Sequence, residues 1–178
     1  MLRVPDTVLV IVDIQERLAA VIHERERVVE TARKLVEGAR VLGIPILHTE
    51  QYPKGLGRTV PEIAALLDAP PIEKTSFGCC GEPAFINALD AAGRKDVLLA
   101  GMETHVCVYQ TAAQLLDREC RVHVVTDAVG SRTHFNREAG IAKMHDAGAQ
   151  LTTVEMALFE LLEVAQGDAF KQIIKIVK

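Results

Sequence analysis

Two stretches of this chain, Thr7 to Val12 and Val97 to Ala100, are apolar or β-branched at every position instead of every second one. A strand of that kind hides both faces, so it belongs inside a sheet covered on both sides, the setting of parallel sheets. Parallel neighbours need a crossover of a dozen or more residues, usually a helix. The chain supplies these. Apolar positions recur at helical spacing from about His23 to Leu42, over Pro83 to Ala92, His105 to Leu116 and Asn136 to Ala147. Further short runs read as strands at Ile44 to Thr49, Pro71 to Glu73, Asp96 to Ala100, Arg121 to Thr126 and Gln150 to Thr153. Pro61 to Leu67 reads as a short helix, Gln51 to Thr59 as a Gly- and Pro-rich loop, and Val154 to Val164 and Ala169 to Val177 as helices parted near Gly167. The expected architecture is α/β: a three-layer αβα, Rossmann-like fold around a parallel six-stranded sheet.

With 178 residues and no linker, repeat or low-complexity segment, the expectation is one domain over residues 1–178. A formal net charge of -4 with scattered Lys and Arg argues against a nucleic-acid partner. No apolar run reaches the roughly 20 residues a membrane span needs, so no membrane partner is expected. The N-terminus lacks the basic and apolar pattern of a signal peptide, which places the protein in the cytoplasm. The cysteines Cys79, Cys80, Cys107 and Cys120 include no Cys-x-x-Cys pair, and reduced thiols are expected.

In sheets of this class, ligands bind beyond the carboxyl ends of the strands. The residues to inspect are therefore Asp13 and Gln15, Glu50 to Tyr52, Lys74, Gly101 to Cys107 and Asp127. Cys107 stands out. It follows a strand that breaks at Gly101 and sits in the first turns of the next helix, whose positive end favours a thiolate. Taken alone, the same cysteine better suits a buried inert thiol. His105 lies two residues before Cys107 and is a poor base for it, because helical residues two apart do not face each other. Asp127 suits a turn or helix cap as well as a site.

Three separated motifs then stand in order: Val-Ile-Val-Asp-Ile-Gln around Asp13, Glu-Lys-Thr-Ser-Phe around Lys74, and Gly-Met-Glu-Thr-His-Val-Cys-Val ending past Cys107. With them the chain resembles the isochorismatase-like hydrolase superfamily over essentially its whole length. Thr49 to Gly57 is similar to the isochorismatase-domain-containing proteins of unassigned substrate. The resemblance implies an Asp-Lys-Cys triad of Asp13, Lys74 and Cys107. Lys74 would lower the thiol pKa from about 8.5, and Asp13 would take the thiol proton and return it to a leaving group. It further implies a cis peptide between Met102 and Glu103, and an oxyanion hole from the backbone N–H groups of Glu103 and Cys107. Gln15, Gln51, Tyr52, Phe77 and Thr104 are candidates for the substrate pocket by position.

A retained cysteine favours an acyl-enzyme route on a small amide-, ureide- or ester-like substrate over vinyl-ether cleavage. Metal-holding relatives carry Asp-x-His and a further His, whereas this loop reads Glu50-Gln51-Tyr52-Pro53, so no metal and no other cofactor are expected. The resemblance also implies a homo-oligomer, for which the chain itself offers the apolar segment Phe170 to Val177. Two other readings are a catalytically silent member acting as a binding protein, and a flavodoxin-like nucleotide or redox protein. The second is opposed by Asp13-Ile14-Gln15-Glu16 standing where a Gly-rich phosphate loop would be.

Overall fold

The computed structural model describes residues 1–178. Its strands are β1 (Thr7–Val12), β2 (Ile46–Gln51), β3 (Ile72–Lys74), β4 (Asp96–Met102), β5 (Arg121–Gly130) and β6 (Gln150–Thr152). All pair in parallel, in the order β3-β2-β1-β4-β5-β6. β1 and β4 are buried at every position, as their unbroken apolar runs require. The helical segments are α1 (Glu16–Ala19), α2 (Arg25–Val41), α3 (Pro53–Leu56), α4 (Pro61–Ala64), α5 (Pro83–Ala92), α6 (Tyr109–Asp117), α7 (His134–Asp146), α8 (Val154–Leu162) and α9 (Gly167–Val177). One face of the sheet, with Leu9, Ile11 and Leu98, packs against α2, α8 and α9 through Leu35, Leu158 and Ile173. The other face, with Val10, Leu99 and Val124, packs against α5, α6 and α7 through Phe85, Leu115 and Met144. No helix is long and apolar enough to cross a membrane.

From β1 the chain walks outward through β2 to β3, then returns to place β4 on the other side of β1. The carboxyl ends of β1 and β4 therefore flank a point where strand order reverses, the place where open α/β sheets put their ligands.

Several boundaries differ from those read in the sequence. β4 runs on past Ala100 because Gly101 continues the ladder, paired with Val12. Its φ is +133°, and a Cβ there would lie 2.0 Å from the Val12 carbonyl oxygen, so only glycine lets the strands approach so closely. β5 continues to Gly130 through a register shift opposite Leu99 and Gly101, an irregularity that a Thr126-Asp127 stop signal concealed. The loop from Gln51 to Thr59 contains the helical turn α3, started by Pro53 at its first position. The helix expected from His105 opens instead as a π-helical turn, Thr104–Val108, before α6 begins at Tyr109. Single π turns of this kind recur at functional sites.

Candidate active site

The registers of four strands bring the candidate residues together. Val12 pairs with Thr49 on β2 and with Gly101 on β4, while Gln51 pairs with Lys74 on β3. Asp13, the residue after β1, is fully buried and turns the chain in the left-handed region at φ +50°. Its backbone N–H donates to the Thr49 carbonyl at 3.2 Å. Of its carboxylate oxygens, Oδ1 accepts from the Thr49 hydroxyl at 2.7 Å and Oδ2 from Lys74 Nζ at 2.7 Å. Lys74 has no exposed side-chain surface. Its ammonium also faces Gln51 Oε1 at 2.8 Å and the carbonyls of Ser76 and Phe77 at 3.1 and 2.9 Å. Four acceptors surround three N–H donors, so this lysine is a locked counter-ion to Asp13.

Cys107 lies in the π turn, 6% exposed, within the field of that ion pair. Its thiol is pushed up to about 12, by burial first and then by the Asp13 charge, which outweighs the opposing pull of Lys74. This corrects the expectation of a lysine-stabilised thiolate. Lys74 spends its charge on Asp13 at 2.7 Å, and burial disfavours the charged sulfur. The resting group is the thiol, facing the Asp13 charge.

The Met102–Glu103 peptide is cis. The Glu103 carboxylate turns away toward β5, where Oε2 accepts from the Arg132 backbone N–H at 3.1 Å and from its Nε at 3.0 Å. His105 Nδ1 contacts Ser131 Oγ at 3.0 Å, which directs the ring toward the end of β5. Thr104 Oγ1 is buried and has no hydrogen-bond partner.

The pocket candidates separate into two kinds. Gln15 is fully buried, and its amide is consumed by backbone: Nε2 donates to the Gln51 and Gly57 carbonyls at 3.1 and 2.7 Å, and Oε1 accepts from the Gln51 N–H at 2.7 Å. It clasps two loops and is no pocket wall. Gln51 likewise serves the Lys74 ammonium and, through Nε2, the Thr75 carbonyl at 2.8 Å. Tyr52 is half-exposed and lines a cavity of about 240 Å³ with Lys54, Glu73 and Thr75. Phe77 is also half-exposed but does not line that cavity. Glu50 points to the opposite face of β2, where it accepts from the Thr59 N–H at 2.6 Å and from Arg58 at 2.9 Å. Burial pushes its carboxyl up, but these donors outweigh burial and hold it below the usual range. Asp127 is a cap, its Oδ1 accepting from the Val154 N–H at 3.0 Å at the start of α8.

Two residues at the site escape sequence reasoning. Thr49 ends the strand read in the sequence, and only the sheet order puts its hydroxyl on Asp13. Cys79 is fully buried with Sγ 3.8 Å from that hydroxyl, and its thiol is pushed up to about 12, chiefly by burial. No group of three or more His, Cys, Asp and Glu side chains converges as a metal site.

Known proteins resemble this chain over nearly its whole length. Mouse isochorismatase domain-containing protein 2A is 40% identical over 173 residues, spanning 97% of this chain and 82% of the relative. A Caenorhabditis elegans chain described as MAR1 ribonuclease superposes with a TM-score of 0.94 at 39% identity, covering 99% of this chain and 91% of that one. The YcaC proteins of Escherichia coli, described as an octameric hydrolase of unknown specificity, and of Pseudomonas aeruginosa, described with covalent acrylamide, each reach 0.93 at 28% identity. They cover 98% of this chain, and 88% and 90% of theirs. The isochorismatase domain model matches residues 7–156, and with that span and these relatives the chain belongs to the isochorismatase-domain family.

Proposed function

We propose that this protein, acting as a single domain over residues 1–178, is a cysteine hydrolase of small, neutral amide-, ureide- or ester-like substrates. One observation carries the reading. At the strand-order reversal a buried carboxylate, Asp13, is gripped by Lys74 and Thr49 at 2.7 Å each, and its charge acts on the thiol of Cys107. A carboxylate next to an unionised thiol is a general base awaiting a reaction, and a small substrate reaching Cys107 supplies one.

As Cys107 Sγ bonds to the substrate carbonyl carbon, its proton passes to Asp13. The carbonyl electron pair moves to oxygen, where the backbone N–H groups of Glu103 and Cys107 receive it. Each such donor is worth about 3 kcal/mol in comparable sites. The tetrahedral species collapses, the leaving amine or alcohol takes the proton from Asp13, and an acyl-thioester remains. Water, deprotonated by Asp13, then releases the acid and restores the thiol. Lys74 holds the Asp13 carboxylate in place at 2.7 Å through each proton transfer. Thr104 Oγ1, the buried polar atom without a partner inside the chain, is the group left to bond the substrate.

The Pseudomonas YcaC structure, described with covalent acrylamide, supports a reactive nucleophile in a relative, since acrylamide bonds to nucleophiles through its alkene carbon. The octameric relative supports a homo-oligomer. The ribonuclease description of the nematode relative finds no support in this chain's charge, a net -4 without a basic stripe.

The test is a turnover screen of amides, ureides and esters together with acrylamide capture read by peptide mass spectrometry. Acrylamide is expected on Cys107 in the native protein and absent after Asp13→Asn. Turnover is expected to vanish in Cys107→Ala while the fold is kept. Adducts spread evenly over the four cysteines, or turnover surviving in Cys107→Ala, would overturn the reading. A native protein that never turns over and never captures acrylamide would favour the silent binding protein instead.

A further inference from the structure

The largest cavity of the chain lies away from Cys107. β3 pairs only with Thr49–Gln51, so Ile46 to His48 form a sheet edge with no strand neighbour on that side. There, between the end of α2, the turn after α4 and the loop joining α5 to β4, opens a cavity of about 680 Å³. Ile44, Ile46 and Leu66 supply apolar wall. His48 lines it as well and is 5% exposed. It is under the influence of burial and of the Glu50 charge, and no hydrogen bond acts on its ring. With no partner in the chain and its ring nitrogens not among the sealed polar atoms, the imidazole keeps a donor and an acceptor open to the space. Consecutive strand residues point to opposite faces, so His48 stands back to back with Thr49, and the sheet separates the cavity from Asp13.

Two guanidinium groups line the same cavity. Arg40 is occupied: it donates to the Leu66 carbonyl at 2.7 Å and pairs with Asp68 at 3.6 Å. Arg94 makes one long hydrogen bond, 3.3 Å to the Val4 carbonyl, and has no carboxylate partner. A single uncompensated cation suits a monoanion, and a planar fork suits a carboxylate.

We propose that this cavity binds a small monocarboxylate with a short apolar body, its head held by Arg94 and His48 and its body against Ile44, Ile46 and Leu66. The neutral imidazole supplies a donor to the carboxylate, while the apolar wall replaces water around the chain. Hydrophobic lining with a few placed polar groups is the usual composition of small-ligand sites.

The test is calorimetric titration of the assembled protein with hexanoate, with hexanamide and acetate as controls. Saturable hexanoate binding is expected, about tenfold or more weaker for hexanamide, which lacks the charge, and likewise for acetate, which lacks the body. Arg94→Gln, on a loop where folding is not at stake, is expected to weaken hexanoate about tenfold, and His48→Leu to weaken it as well. Cys107→Ala is expected to bind hexanoate unchanged, which distinguishes this cavity from the proposed active site. Loss of binding in Cys107→Ala, equal affinity for hexanamide, no effect of Arg94→Gln, or another copy of the chain filling the cavity in the assembly would overturn the proposal.

Discussion

At the scale of single residues, the site is a buried ion pair with a thiol beside it, and its energetics follow from burial. Removing one partner of such a pair strands the other charge, at a cost of about 3–5 kcal/mol. Lys74→Met is therefore expected to destabilise the protein by about that amount in urea unfolding. Thr49→Val, which removes only a neutral donor from Asp13, is expected to cost about 1–3 kcal/mol, with Thr49→Ser recovering most of it. Equal stability of Lys74→Met and the native protein would show the pair to be solvated. The thiols give a pH signature. Cys107 and Cys79 move from an ordinary value of 9.0 to about 12 on folding, because burial favours their neutral form. A pKa raised by folding contributes stability that is fully present below about pH 9 and lost as pH climbs from there toward 12. Stability is thus expected to decline above pH 9, and less steeply in Cys79→Ala/Cys107→Ala. In a variant keeping only Cys107, ultraviolet titration should find about one thiolate in a thousand at pH 9. A thiolate signal at pH 7 would refute the protonated resting state. Asp13, Lys74 and Cys107 were legible in the sequence because each sits inside a motif. Thr49 was not, because its importance comes from a neighbour 36 residues away. Nor was the direction of the thiol shift, which depends on whether Lys74 or Asp13 dominates the local field.

At the scale of elements, the decisive join is between β1 and β4. Runs without polar alternation identified both as central strands, yet the glycine that looked like the end of β4 is what lets it continue. Side chains in these two strands are interleaved with layers on both sides, so neither strand can shift to relieve a clash. Gly101→Ala is expected to be among the most damaging single-methyl changes in the chain. Its Cβ would meet backbone, the Val12 carbonyl at 2.0 Å, at a φ of +133° that alanine rarely adopts. Little soluble protein, or a strongly lowered melting temperature with the π turn displaced, is the expected result. Native-like melting would mean that β4 separates from β1 more easily than its buried ladder implies. Gly38→Ala makes an instructive contrast. Its Cβ would lie 2.4 Å from Leu158 Cδ2, the end of a side chain that can rotate, so the α2–α8 contact has room to adjust. The π turn and the continuation of β5 were illegible for a common reason. Both are irregular insertions, which break periodicity instead of following it.

At the scale of the whole molecule, the question is how copies of this chain meet. The segment Phe170 to Val177, read in the sequence as an association surface, folds onto its own chain as α9. Ile173 is fully buried in the core with α2 and α8, and Ile176 and Val177 pack against the same cluster. An amphipathic stripe announces that a helix has something to cover, but not whether the surface it covers lies in the same chain. The apolar groups left for a partner are elsewhere. Phe135, at the start of α7, is 80% exposed, and Val21, Tyr52 and Phe77 are each more than half exposed. All four stand on segments that follow the carboxyl ends of strands, and so toward the rim at that end of the sheet. Scattered single apolar residues on a surface are ordinary. Four of them at one end of the sheet favour that end over the segment carrying Met156 and Val164 as the surface for a second copy. Sedimentation at micromolar concentration is expected to give a mass well above that of one 178-residue chain. Phe135→Asp is expected to shift the protein toward smaller species without changing its melting as a monomer, since that side chain packs on little within the protomer. If the native protein sediments as a monomer, the rim is a solvent-facing border. If Phe135→Asp leaves a native oligomer untouched, copies join through another face.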